Sequence, residues 1–525
     1  MEKNPLLLCD YYKLGHYFMQ PKGVERVYAT WTARSNKYHE GCTQTVVFGT
    51  QYFIQKYLIE YFNEYFFNKD FNEIEKDYLN KVKNTFNSNY ANTNRFEQLH
   101  KLGYLPIEVW GLPEGSLINI KIPQCAIWNT HKDFGWLPQY LEDIWSTNMW
   151  LPSTSATTAY YRRKDLQPFI EATCDNPQEV LKHICGDFSM RGMTSLDSAF
   201  ISSAGHCLSF DRTATIEANG LLEKYYMADI ANKPPALGAP SLEHSVVCQG
   251  VAYFQDLIEN DIDKLDIKYQ AYIDKVKEDW DIKLIAEMCF IIHLLTEVQP
   301  NGLLTYVSDT YDYWGVLTKI LPIIKDIIIN RDGKFCPRPD SGNPEYIICG
   351  DPISDNIHIQ KGSIQILADI FGYEYNTKSF KVLNSHIGLI YGDAITKDVA
   401  YTVANRLMKA NWATSNIIFG IGAYTYQYVT RDTRGFAIKA SYCEIDDKPI
   451  MMYKEPKTDD GTKKSIKGCA VVYCKEDEFK VKDNYNLKEA CNHSEQEMIP
   501  LFKDGNLLHK ESIYDIRNRL YNERF

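Results

Sequence analysis

Short apolar runs in the middle of the chain repeatedly end on a charged residue or a glycine turn. In order they are HICGDFSMRG (183 to 192), LLTYVSD (303 to 309), FCPRPDSG (335 to 342), HIGLIYGD (386 to 393) and NIIFGIGAY (416 to 424). Hydrophobic periodicity predicts helices over 215–226, 265–279, 311–328 and 396–410, and strands over 303–308, 386–391 and 416–420. Alternating strand and helix favours a parallel sheet, open or closed into a barrel. A barrel of parallel strands carries its chemistry where strands end and loops begin. That rule draws Asp187, Arg191, Asp309, Arg338, Asp340 and Asp393 toward one mouth.

The flanks read differently. Before about residue 150, strand-like runs (VERVYATWTA, LPIEVWGL, SLINIKIP) accompany an amphipathic helix. Its Ile74, Tyr78, Val82 and Phe86 recur every fourth position and share one face, as a helix covering a sheet requires. After residue 430 strand-like stretches return (FAIKASYCEI, PIMMYKE, CAVVYC), separated by the polar EPKTDDGTKKSIKG, which reads as a mobile loop. The two end regions together suit one β-rich module.

Composition narrows the function. At 525 residues the chain can bury more than one core, and 45% hydrophobic with 24% charged residues is ordinary for a globular protein. A net charge of -11 argues against a nucleic-acid or acidic-membrane footprint, so an anionic ligand must be met by a local basic cluster. The 14 cysteines are scattered without a CxxC pair, as reduced thiols are. MEKNPLLLCD is too short an apolar run for a signal peptide, and no stretch approaches the roughly 18 apolar residues of a membrane span. The expected compartment is the cytoplasm.

Neither the P-loop GxxxxGK[ST] nor the dinucleotide GxGxxG is present. Two glycine turns after late strands remain, Gly392-Asp393 and Gly420-Ile421-Gly422, followed by the cations Arg431, Lys439 and Lys454. Backbone N–H groups beside basic side chains suit a phosphate, although a lone GxG turn is also ordinary turn geometry. His244, flanked by Glu243 and Ser245, is either a structural histidine or a nucleophile with a carboxylate near its other nitrogen. Asp309, Asp340 and Asp393 suit a metal site, a ribose-hydroxyl site or strand-end caps, and spacing does not choose among them. Tyr12 and Phe188 read as core aromatics unless a ligand stacks on them.

Taken in order, DYYKLGHY, VVFGTQYFIQKYL, LPIEV with LPEGS, GDFSMRG, LEHS, VSDTYD, RPDSGNP, YGD, FGIG, TRD and the late lysines resemble the nicotinamide phosphoribosyltransferases, type II phosphoribosyltransferases, over nearly the whole chain. The resemblance implies an α/β fold, an irregular parallel α/β barrel (151–430) plus a β-rich domain built from both chain ends (1–150, with a helical insert, and 431–525). It implies a homodimer with shared active sites. The implied reaction joins nicotinamide to phosphoribosyl pyrophosphate, with Mg²⁺ on the pyrophosphate and ATP coupled through a phosphohistidine. By matching motif, Phe188 and the partner's Tyr12 would sandwich the pyridine, with Arg191 near its plane. His244 would be phosphorylated, with Glu243 beside it. Asp309, Arg338, Asp340, Gly392 and Asp393 would surround ribose, Mg²⁺ and pyrophosphate. Gly422, with Ala423 in the same turn, and the partner's Arg431, Lys439 and Lys454 would hold the 5′-phosphate.

Departures from the pattern matter. Ala214 stands where the family has an aspartate that accepts the amide hydrogen, with Asp211 three residues earlier. Losing that acceptor raises nicotinate as an alternative acceptor. Gly238 and Thr305 replace serines nearby, and Ala423 replaces a glycine of the phosphate turn. Gly388 replaces an arginine near the donor phosphates, which suggests room for a bulkier donor such as ADP-ribose pyrophosphate. A non-catalytic binding or signalling homologue has little need of His244, Asp309, Arg338, Asp340 and Asp393 together. A metal-dependent barrel hydrolase needs a histidine cluster, yet only His244, His183 and His386 lie near strand ends.

Overall fold

The computed structural model describes residues 4–39, 41–86, 90–392, 395–458 and 464–521. Asp393 and residues 459–463 of the loop segment lie outside the described residues.

A 7-stranded antiparallel sheet takes strands from both ends of the chain. Its order is Lys448–Met451, Ala437–Ile445, Val24–Thr32, Pro123–Asn129, Ile107–Gly111, Ile499–Lys503 and Asn506–Leu507. The ends meet at its centre, where Thr30 pairs with Lys439 and Trp31 with Ile438. One face is covered by N-terminal helices, through Leu14, Phe53, Tyr78, Phe96 and Trp145. The amphipathic helix is among them: Phe71–Val82 buries Ile74, Tyr78 and Val82, and Phe86 packs just beyond its end. The other face carries Tyr28, Trp128 and Tyr442 against the hairpin Cys469–Lys475 and Glu478–Tyr485.

The middle of the chain closes a ring. Leu389–Tyr391, Ile417–Ile421, Cys185–Asp187 and Arg212–Thr213 form one parallel sheet, and Asn301–Val307 pairs with Asp332–Arg338 in another. Single parallel bridges, Arg212 with Leu237, Ser241 with Thr305 and Phe335 with Ile387, join the two sheets in chain order. The result is an irregular barrel in which residues 237–241 stand in for a strand. Leu304, Tyr306, Phe335, Leu389, Tyr391, Ile417 and Phe419 face outward into one apolar cluster with the surrounding helices. Their alternates Thr305, Cys336, Arg338, Gly388, Ile390, Gly392 and Gly420 therefore face the interior.

The predicted helix over 311–328 is a series of short helical pieces from Tyr313 to Asn330. Pro322 lies among them, lacks an N–H and crowds the preceding turn. The predicted strand from 386 shortens to Leu389–Tyr391, because the chain turns first, with Ile387 N–H donating to the Asn384 carbonyl. One 32-residue helix, Glu142–Thr173, serves both domains: Trp145 and Met149 lie in the sheet's core, Leu166 and Ile170 in the barrel's. The expected division at residue 150 falls inside it.

Candidate active site

Three strand ends on one side of the mouth are tied together by side chains. His244 opens the helix His244–Asn260 and Asp309 follows Asn301–Val307. Arg338 ends its strand two residues before Asp340. Asp309 is 5% exposed. Its Oδ2 accepts from the Asp340 N–H at 2.9 Å and from Ser341 Oγ at 2.5 Å. Its Oδ1 is buried with no hydrogen-bond partner among the described residues and lies 3.8 Å from His244 Nε2. Asp340 Oδ2 lies 3.7 Å from the same nitrogen and 3.4 Å from Arg338 Nη2. Arg338 Nη2 donates to the Leu242 carbonyl at 2.9 Å, which pins the loop leading to His244.

A buried carboxylate oxygen without a donor is an incomplete arrangement in an isolated chain. Asp309 and Asp340 could hold a hard cation that takes its other oxygens from a phosphate ligand. Among the described residues no group of three His, Cys, Asp or Glu could hold a metal alone, so a shared cation fits better than a protein-only cage. The glycine at 392 has a steric reason: a Cβ there would sit 2.1 Å from Asp340 Oδ1. At Gly422 a Cβ would meet nothing within 4 Å. Ala423 follows as the first residue of Ala423–Gln427 and packs on the 190–192 turn, where a Cβ at Gly192 would sit 2.3 Å from its own.

Glu243 does not hold the histidine. Its carboxylate accepts from Ser245 Oγ at 2.5 Å, while His244 Nδ1 lies 3.0 Å from Thr310 Oγ1. Adjacency in sequence sends neighbouring side chains apart at a helix start, and the partner comes from the next strand end. Thr310 and Ser341 were not anticipated. Both sit inside motifs whose aspartates drew the eye, VSDTYD and RPDSGNP.

The opposite side of the mouth is looser. Asp187 is fully buried and structural, accepting from Ser189 N–H at 2.9 Å and Thr213 Oγ1 at 3.3 Å. Phe188 is half-buried with its ring against Gly186, and Arg191 is exposed. Ala214 is exposed at the mouth, its N–H donating to the Asp187 carbonyl at 2.8 Å. Asp211 cannot stand in for the missing acceptor, because it precedes the Arg212–Thr213 strand and binds His183 Nδ1 at 2.5 Å. That bond, with a second to Glu179, raises the His183 pKa above its usual value. Thr305 is 2% exposed and donates to the Pro240 carbonyl at 3.2 Å, so its hydroxyl braces the barrel wall where a pyridine contact was expected.

Gly388 gives no support to a bulkier donor. It is buried near the start of its strand, roughly 13 Å before Gly392 at ~3.3 Å per residue. A Cβ there would lie 2.8 Å from Cys336 Sγ and 3.3 Å from Lys334 Cδ. The volume an arginine would need is filled from the facing strand.

The remaining expected residues lie on the sheet domain. Tyr12, 53% exposed, lines an open cavity of about 310 Å³ with Asp10, Glu142, Asp143 and Arg431. No ring contact joins it to Phe188 among the described residues; its neighbour is His16, with centroids 5.3 Å apart. Lys439 is half-buried and Lys454 is exposed. Burial holds the Lys439 ammonium below the usual lysine range; Glu142 opposes this, and the cations of Arg34, Lys454 and Arg431 add to it. Three further cations thus surround Lys439, and one of them, Arg431, lines the cavity with Tyr12. Arg34 belongs to an N-terminal strand end that gave no sequence signal of its own.

Residues 184–490 match the family described as Nicotinate phosphoribosyltransferase (NAPRTase). A nicotinamide phosphoribosyltransferase of Acinetobacter baylyi is 36% identical over 98% of this chain and 97% of its own. One from Mycoplasma pneumoniae is 30% identical over 88% of this chain and 94% of its own. Among solved structures, human nicotinic acid phosphoribosyltransferase superposes with a TM-score of 0.58 at 14% identity, covering 98% of this chain and 93% of that one. That last likeness establishes the fold.

Proposed function

The chain belongs to the nicotinate phosphoribosyltransferase (NAPRTase) family, and on that premise we propose that it transfers phosphoribose from phosphoribosyl pyrophosphate to nicotinamide, releasing nicotinamide mononucleotide and pyrophosphate in NAD salvage. The observation that carries this reading is the braced set His244, Asp309, Arg338 and Asp340 around an unpartnered carboxylate oxygen. As the pyrophosphate leaves, the sugar takes on oxocarbenium character. Arg338 would favour the leaving group, and Asp309 and Asp340 would hold a Mg²⁺ ion that supplies further positive charge there.

Two subunits share each site in this proposal. The 5′-phosphate needs cations, and those near Lys439 sit with Tyr12 on the sheet domain. A homodimer in which one sheet domain covers the other's barrel mouth would bring Tyr12 to Phe188 and complete the pyridine sandwich. ATP acts as co-substrate by phosphorylating His244. No described helix is long and apolar enough to cross a membrane, and 14 free cysteines suit the reducing cytoplasm.

The test is product identity. With phosphoribosyl pyrophosphate and Mg²⁺, nicotinamide should yield nicotinamide mononucleotide and pyrophosphate, detected by mass. Nicotinate mononucleotide as the main product from an equal mixture of both bases would overturn the choice of acceptor. His244→Ala should lose ATP-stimulated turnover and keep slower ATP-independent synthesis, and ATP stimulation that survives would remove the phosphohistidine.

A further inference from the structure

The segment that follows the late glycine turn, Ala423–Gln427, is held by successive side chains that each reach a different element. Thr425 Oγ1 accepts from Arg162 Nη2 at 3.3 Å, Tyr426 Oη lies 2.6 Å from His206 Nδ1, and Gln427 Oε1 accepts from the Thr194 N–H at 3.1 Å. The Thr425 N–H donates back to the Gly422 carbonyl at 3.2 Å. Arg162 comes from the long helix Glu142–Thr173, and its Nη1 donates to the Ile395 carbonyl at 3.2 Å. One guanidinium thus fastens the chain just after Gly392 to the chain just after Gly422. We propose that Arg162 is a positioning residue for the 5′-phosphate end of the donor, holding the Gly422 turn in place and setting a positive charge behind it. This rests on the phosphoribosyl transfer proposed above and adds a determinant inside the barrel, apart from the cations of the sheet domain.

Arg162 is 4% exposed, yet no carboxylate pairs with it among the described residues, and its Nε has no hydrogen-bond partner there. The acidic groups nearby are committed elsewhere. Asp165, on the next turn of the helix, pairs with Lys397 at 3.1 Å. Asp187, which like Arg162 acts by charge on Tyr426, accepts from Ser189 and Thr213. A buried cation left without a counter-charge destabilises the fold, and an anion seated close by offsets part of that penalty. The open side of the turn is where such an anion fits, since a Cβ at Gly422 would meet nothing within 4 Å. Arg162 acts there through Thr425 and the turn that Thr425 closes. The pyrophosphate end has its own supports. Asp309 holds the Asp340 N–H and the Leu242 carbonyl holds Arg338, so losing Arg162 should weaken one end of the donor and spare the other.

The test is calorimetric titration of the full chain with the two halves of the donor, ribose 5-phosphate and Mg²⁺ pyrophosphate. Arg162→Met, which keeps the length and removes the charge, should weaken ribose 5-phosphate binding about tenfold and leave pyrophosphate within about twofold. Thr425→Val keeps Arg162 and the side-chain shape and should weaken ribose 5-phosphate about threefold, with Thr425→Ser restoring it. This milder variant decides the matter if Arg162→Met does not fold. A merely structural role would weaken both anions together, and that result, or unchanged ribose 5-phosphate binding, would overturn the inference alone. So would a wild-type chain that binds pyrophosphate but not ribose 5-phosphate. A wild-type chain that binds neither would overturn the phosphoribosyl reading as well.

Discussion

The two sides of the barrel mouth differ in how much one chain completes. On the side of His244, Asp309, Arg338 and Asp340, each strand end is held by the next. Asp309 takes the Asp340 N–H, Arg338 holds the Leu242 carbonyl, and Thr310 meets His244. On the side of Phe188, Arg191 and Ala214, the groups are exposed or half-exposed, Ala214 brings no side-chain acceptor, and Asp211 is committed to His183. The reacting sugar and its leaving group need charges fixed in advance, whereas a flat neutral ring needs faces that close on it. The chain builds the first arrangement alone, and in the proposed dimer it obtains the second from another copy.

Variants on the braced side should therefore matter most. Asp309→Ala removes both the unpartnered oxygen and the anchor of the Asp340 loop, and kcat should fall by roughly 10³-fold in steady-state product assays. A smaller effect, on the order of 10- to 100-fold, is expected for Gly392→Ala, whose new methyl must displace Asp340. On the loose side, Ala214→Asp should raise the nicotinamide to nicotinate ratio of kcat/KM by about tenfold. No change in that ratio would show that position 214 does not set the preference.

The smallest effect concerns the support behind the braced side. Burial pushes Glu287 from its ordinary 4.5 up to about 7, with Asp312 and Asp281 adding to the rise and the Tyr306 hydroxyl opposing it. Tyr306 belongs to the strand that leads to Asp309 and donates to Glu287 at 2.9 Å. Because the folded-state pKa is raised, the folded chain keeps a proton that the unfolded chain releases. Stability from this group is complete below 4.5 and is lost as pH rises toward about 7. Glu287→Gln should gain on the wild type by roughly 1–3 kcal/mol between about pH 5 and pH 8 in paired denaturation curves. A constant difference across that range would contradict the buried titration.

Legibility in the sequence followed pattern strength. The strands ending at Val307, Arg338 and Tyr391 show because apolar residues alternate and then stop at a charge or glycine. Residues 237–241 close the ring through single bridges and carry no strand pattern. The helix Glu142–Thr173 is buried on many sides by both domains and contains Pro152 and Pro168, so it lacks the one-sided stripe that reveals a surface helix. At the site, aspartates at strand ends were legible, but whether each faces the mouth was not: Asp309 does, whereas Asp211 lies before its strand. Gly388 misled for the same reason, since the sequence does not say that Lys334 and Cys336 fill its place.

The division of labour between two copies is tested most directly by paired heterodimers, coexpressed with different tags and assayed for nicotinamide mononucleotide. If sites are shared, a dimer of one Asp309→Ala chain and one Lys439→Ala chain has one intact site of two and should show about half of wild-type turnover. A dimer of wild type with the chain carrying both substitutions has none and should be inactive. The reverse outcome, an inactive first dimer and a half-active second, would place each complete site within a single chain and contradict the shared site.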